Sequence, residues 1–120
     1  MSLTSRVVDE VAILDLASVL TEVSGAEVLS HLDRDVPARR FWAFNLAAVT
    51  YIDSAGLGAL VYAHRHLESR GGALKVFNIQ PRSQHLLDIT GLAGIIQTFD
   101  SEADVLSSVR AARAAEGATS

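Results

Sequence analysis

Phe41-Trp42-Ala43-Phe44-Asn45-Leu46, followed by Asp53-Ser54-Ala55-Gly56-Leu57-Gly58-Ala59, decides the fold. The first run is aromatic and apolar enough for a buried strand, and Leu57, Leu60, Val61, His64 and Leu67 then recur at helical spacing. A strand therefore hands over to a helix at Asp53-Ser54. The first N–H groups of a helix lack intrahelical partners, and the macrodipole places partial positive charge there, so anions are welcome at this end. Asp53 or Ser54 can serve as the cap, a role common to both residue types. Ser54 also presents a hydroxyl. A phosphoryl group on it would bring roughly −1.5 to −2 charges, partly accommodated by the helix terminus and opposed by Asp53.

Working outward, residues 5–8 and 11–16 read as two short strands joined by a turn at Asp9-Glu10. Ser24-Gly25-Ala26-Glu27 fits a capping box that starts a first helix running to Leu32, with a loop over 33–40. The strand over 41–46 precedes a second helix over 54–69, which Gly71-Gly72 ends by supplying a left-handed residue. A strand over 73–77 leads to a short helix that opens near Pro81 and stops at Gly91. A last strand covers 95–99. Ser101-Glu102-Ala103-Asp104 then starts a final helix with Val105, Leu106 and Val109 facing inward. Strands alternating with helices imply an α/β fold, a mixed or mostly parallel sheet of about four to five strands covered by about four helices.

The 120 residues suit one domain over 1–120, with an ordered core over about 5–109, and 49% apolar content is enough for a core without staples. Met1-Ser2-Leu3 reads as a cloning remnant, and 111–120 as an alanine-rich tail whose end frays. The absence of cysteine rules out disulfides and thiolate metal sites. No run is long enough to span a bilayer and no secretion signal opens the chain, which together predict a soluble, cytoplasmic protein without membrane insertion. Net charge is −4 and basic residues are scattered, except for Arg34, Arg39 and Arg40 around a loop with Pro37. That pattern excludes a nucleic-acid footprint, and Arg39-Arg40 reads as a solvated strand entry.

On the second helix, the large residues Leu57, Leu60, Val61, His64 and Leu67 define an inward stripe. Ala55, Gly58, Ala59, Tyr62, Ala63 and His66 fall on the opposite arc, which carries no charge over its first two turns. Such a face suits docking: small residues admit a partner backbone, Tyr62 is an anchor, and Ser54 sits at the edge. The plainer alternative is that a loop of the same chain covers it.

Catalysis finds little support. Ser54 lacks the Gly-x-Ser-x-Gly setting because Ile52 stands where glycine is required. His31 and His85 fall on other helices, and His64 and His66 lie on different faces of one helix, where they do not converge on a metal. No phosphate-binding Gly-x-x-x-x-Gly-Lys-Ser/Thr loop occurs.

Tyr51-Ile52-Asp53-Ser54-Ala55-Gly56-Leu57-Gly58 resembles the signature of STAS domains, particularly bacterial anti-sigma factor antagonists. Leu86-Leu87-Asp88-Ile89-Thr90-Gly91-Leu92 is similar to a second segment of that family. Gly71-Gly72 with its following strand, and Ile95-Ile96 followed by Asp100-Ser101-Glu102, match it as well. The resemblance implies a STAS-like single domain that is not an enzyme, uses no cofactor, and partners an anti-sigma factor serine kinase. It implies phosphorylation at Ser54; Ala55 stands where the family often has a second hydroxyl. Asp53, Ala55, Gly56, Gly58, Ala59, Tyr62, Ala63 and His66 form the expected partner-binding set. In one departure, Ser18-Val19-Leu20-Thr21 replaces the family's Gly-Glu-Leu/Ile-Asp and lacks its acidic pair. The alternative is an accessory subunit of a bacterial lipid-transport ABC system, docked through the same helix without phosphorylation.

Overall fold

The first half of strand β3 (Phe41–Ile52) is apolar on both faces because both are covered there: Trp42, Phe44 and Leu46 enter one hydrophobic cluster, Phe41 and Ala43 another. The computed structural model describes residues 3–35 and 40–118. The other elements are β1 (Leu3–Val8), β2 (Val11–Leu20), α1 (Glu22–Asp35), α2 (Ser54–Ser69), β4 (Ala73–Phe77), α3 (Pro81–Ile89), β5 (Gln97–Phe99) and α4 (Glu102–Ala118), with a 3-10 turn over Leu92–Gly94. The five strands lie in the order β1-β2-β3-β4-β5. Only β1 runs antiparallel to its neighbour; the remaining pairs are parallel. The expected mixed, mostly parallel sheet with four helices is the observed one.

Side chains from α1, α2 and α3 join the first cluster through Val28, Leu32, Leu60, Leu67 and Leu87. Helix α4 supplies Val105 and Val109 to the second, with Leu106 packed at its margin. The sheet is therefore sandwiched between three helices and one. Helix α2 ends as a Schellman motif: Gly71 takes φ +78°, its N–H donates to Glu68 O at 3.1 Å, and Gly72 N–H donates to Leu67 O at 2.9 Å.

Several boundaries differ from the sequence reading. Strands β2 and β3 run to Leu20 and Ile52 instead of Leu16 and Leu46, because their last residues pair with each other as a ribbon beyond β1 and β4. Ser24 is not the cap of α1 but lies inside it. Its hydroxyl accepts from Thr21 N–H at 2.7 Å and donates to Val19 O at 2.9 Å, stitching the helix to β2. Ile95 is exposed after the 3-10 turn, so β5 starts at Gln97. Leu3, expected outside the fold, pairs with Leu16.

Residues 111–118, expected as a tail, continue α4. Arg110 meets Asp9 at 3.0 Å, Arg113 meets Glu10, and Arg40 meets Glu116 at 2.8 Å, so the helix is held to the β1–β2 turn and the start of β3. Pro37 and Arg39 of the expected loop, and Ser120, lie outside the described residues.

Candidate functional site

Asp53 has extended backbone and caps α2, its Oδ1 accepting from Gly56 N–H at 2.8 Å. Its own N–H donates to Leu20 O at 3.1 Å, and its carbonyl accepts from Leu57 N–H at 2.9 Å. The junction is thereby fixed to the end of β2. Gly56 completes the clamp, since a Cβ there would lie 2.1 Å from Leu20 O. Of the two candidate caps, Asp53 takes the role. Ser54 becomes the first helical residue, exposed, with no hydrogen bond to its hydroxyl among the described residues.

The outer face of α2 differs from the one expected. Ala59 and Ala63 are buried together with Gly56, Leu60 and Leu67, whereas Leu57, Val61 and His64 are half-buried. The buried stripe is rotated because α2 packs against α1 as well as the sheet: a Cβ on Gly25 of α1 would stand 3.1 Å from Ala59 Cβ. Small residues permit that approach, so size is a poor guide to which side faces inward. Of the expected partner-binding set, Ala55, Gly58 and Tyr62 are exposed, while Asp53 and His66 are half-buried. Gly56, Ala59 and Ala63 are buried, which corrects the placing of Ala59 and Ala63 on the outer arc and of all three in the partner-binding set.

A groove of about 470 Å³ runs along this face, lined by Gly58, Val61, Tyr62, Arg65 and His66. Tyr62 and His66 stack with ring centroids 5.7 Å apart and planes 13° from parallel. Val61 and Arg65 were missing from the sequence-derived set, although they follow Gly58 at helical spacing. Val19 and Tyr51, absent from the expected set, are register partners at the ends of β2 and β3 and keep 40% and 51% exposure, Tyr51 standing three residues before Ser54.

The histidines do not meet Ser54. His64 lies 3.6 Å from Glu68, His66 stacks on Tyr62, His31 pairs with Arg34, and His85 is exposed. Among the described residues no group of three His, Asp or Glu could hold a metal ion. No helix among them is long and apolar enough to cross a membrane.

Comparison with known proteins agrees with this geometry. The STAS domain family model matches residues 2–105. The Bacillus subtilis anti-sigma-B factor antagonist is 45% identical over 51 residues, covering 42% of this chain and 47% of that protein. The Paenibacillus polymyxa anti-sigma F factor antagonist is 26% identical over 98 residues, covering 80% and 84%. The matched stretch thus spans about half the length of the first relative. Among solved structures, an anti-sigma factor antagonist from Mycobacterium paratuberculosis superposes with a TM-score of 0.80 at 20% identity, over 91% of this chain and 93% of the other. At that identity the likeness establishes fold alone.

Proposed function

The chain belongs to the STAS domain family, and from that membership we propose that it is an anti-sigma factor antagonist working as a partner switch. Unmodified, it holds an anti-sigma factor that is also its serine kinase; phosphorylated on Ser54, it releases it. The names of the relatives support the antagonist role. One observation carries the switch: Asp53 performs the capping, which leaves the neighbouring Ser54 hydroxyl exposed and free.

Ser54 borders an uncharged strip formed by Ala55, Gly58 and Tyr62. The N–H of Gly56 already serves Asp53, and the carboxylate itself repels a second anion. A phosphoryl group at Ser54 therefore brings charge that the helix terminus compensates only in part to a surface that docking would desolvate. Such a charge costs several kcal/mol of association, and about 1.4 kcal/mol already means tenfold in affinity. The transport-subunit alternative rests on the Ser18-Val19-Leu20-Thr21 departure, and no feature of the α2 groove favours it.

The test is affinity capture from native lysate with wild-type and Tyr62→Glu baits, followed by intact-mass analysis of the protein with captured partner and ATP. The reading expects a serine-kinase anti-sigma factor on the wild-type bait, little on Tyr62→Glu, and a single phosphoryl gain that Ser54→Ala abolishes. Capture of an ATP-hydrolysing transport subunit in its place, with no mass gain, would sink it.

A further inference from the structure

Gly58 lies within α2, where a helix-interior glycine destabilises relative to alanine by leaving more backbone entropy to lose. The fold gives no reason for it. A Cβ at Gly58 would meet nothing within 4 Å among the described residues, and its φ lies outside the left-handed region. Gly56, two residues earlier, is the contrast: there the Leu20 carbonyl forbids a side chain. Among the described residues none uses the space above Gly58.

The surroundings say what fits. Gly58 floors the groove, and the lining continues through Val61 and Tyr62 to Arg65 and His66, two turns of one helix face. Ridges at helical spacing accept another helix, and absent side chains let the two backbones approach closely. The wall is apolar and aromatic, from Val61 and the Tyr62–His66 stack. Arg65 is the full cation of the rim and makes no ion pair among the described residues. Complementarity therefore calls for a carboxylate opposite it.

We propose that Gly58 holds the groove open for a helix of the partner protein. That helix lays an apolar side chain over Gly58 and against Tyr62, with an acidic residue facing Arg65. The proposal rests on the partner-switch reading and adds the binding mode and the partner's chemistry to it. It makes Gly58 a residue that trades fold stability for binding.

The experiment takes the partner captured on the wild-type bait, identifies it by mass spectrometry, purifies it, and titrates it against wild type, Gly58→Ala, Arg65→Glu and Ser54→Asp. Gly58→Ala should melt about 2–6 °C higher than wild type and yet bind at least tenfold more weakly. Arg65→Glu should also lose at least tenfold, with affinity regained when the facing acid of the partner is reversed to lysine. Unchanged affinity of Gly58→Ala overturns the proposal. So does a melting temperature that fails to rise, which would mean the glycine has a reason inside the fold. The Ser54→Asp arm separates the two claims: binding equal to wild type there removes the switch while the groove is judged on Gly58 alone. A wild-type bait that captures no partner overturns both.

Discussion

Asp53 takes the cap of α2 through the N–H of Gly56 at 2.8 Å, and the adjacent Ser54 is thereby left with an unengaged hydroxyl. The capping role that sequence allows to either residue falls to Asp53 alone. Removing the cap should cost about 1 kcal/mol, since one orphan N–H loses its acceptor. Asp53→Ala is thus expected to lower the urea midpoint, while Ser54→Ala stays within about 0.5 kcal/mol of wild type. Equal losses in the two variants would show that Ser54 shares the capping.

Gly56→Ala should be among the most damaging single changes in α2. Its Cβ would be placed 2.1 Å from the Leu20 carbonyl oxygen, a backbone atom that cannot turn aside. Overpacking of this kind costs more than about 2 kcal/mol. Chemical denaturation of this variant beside Gly58→Ala checks the point, because the two are expected to move in opposite directions.

Ser18 holds φ at +67° at a register shift between β2 and β3, and its carbonyl accepts from the Thr50 hydroxyl at 2.9 Å. A side chain in left-handed backbone is strained by roughly 1 kcal/mol. Ser18→Gly should relieve that strain and raise stability by up to about 1 kcal/mol in equilibrium unfolding. A drop would mean that the serine side chain has a compensating role.

Lys75 is 4% exposed on β4, donates to the neutral side chain of Gln97, and sits 5.3 Å from the centre of the Phe99 ring. Burial pushes its pKa below the ordinary 10.5. Between that lowered value and 10.5 the unfolded chain binds more protons than the folded one, so stability should rise with pH through this window. Lys75→Met is expected to flatten that rise and to raise the urea midpoint at neutral pH. A slope unchanged by the substitution would assign it to other groups.

The parts legible in the sequence were those with local causes. Helix α2 runs over the residues read for it, because Asp53-Ser54 and Gly71-Gly72 are start and stop signals that act within a few residues. What eluded reading was set by distant partners. The inward face of α2 depends on Gly25 of α1, which periodicity cannot register, and large apolar residues drew the stripe away from Ala59 and Ala63. Ser24-Gly25-Ala26-Glu27 carries a cap signature, yet the helix begins earlier because Ser24 is called back to Thr21 and Val19. The last turns of α4 look like a fraying tail until Asp9 and Glu10 are brought beside Arg110 and Arg113. The family glycine that Ser18 replaces has its physical reason in the left-handed backbone at that position.

The most direct test of the switch at Ser54 is the dissociation constant of the purified anti-sigma factor partner for Ser54→Ala and Ser54→Asp, measured side by side by calorimetry on variants of equal melting temperature. The account predicts tight binding by Ser54→Ala and at least tenfold weaker binding by Ser54→Asp. Indistinguishable constants would contradict it.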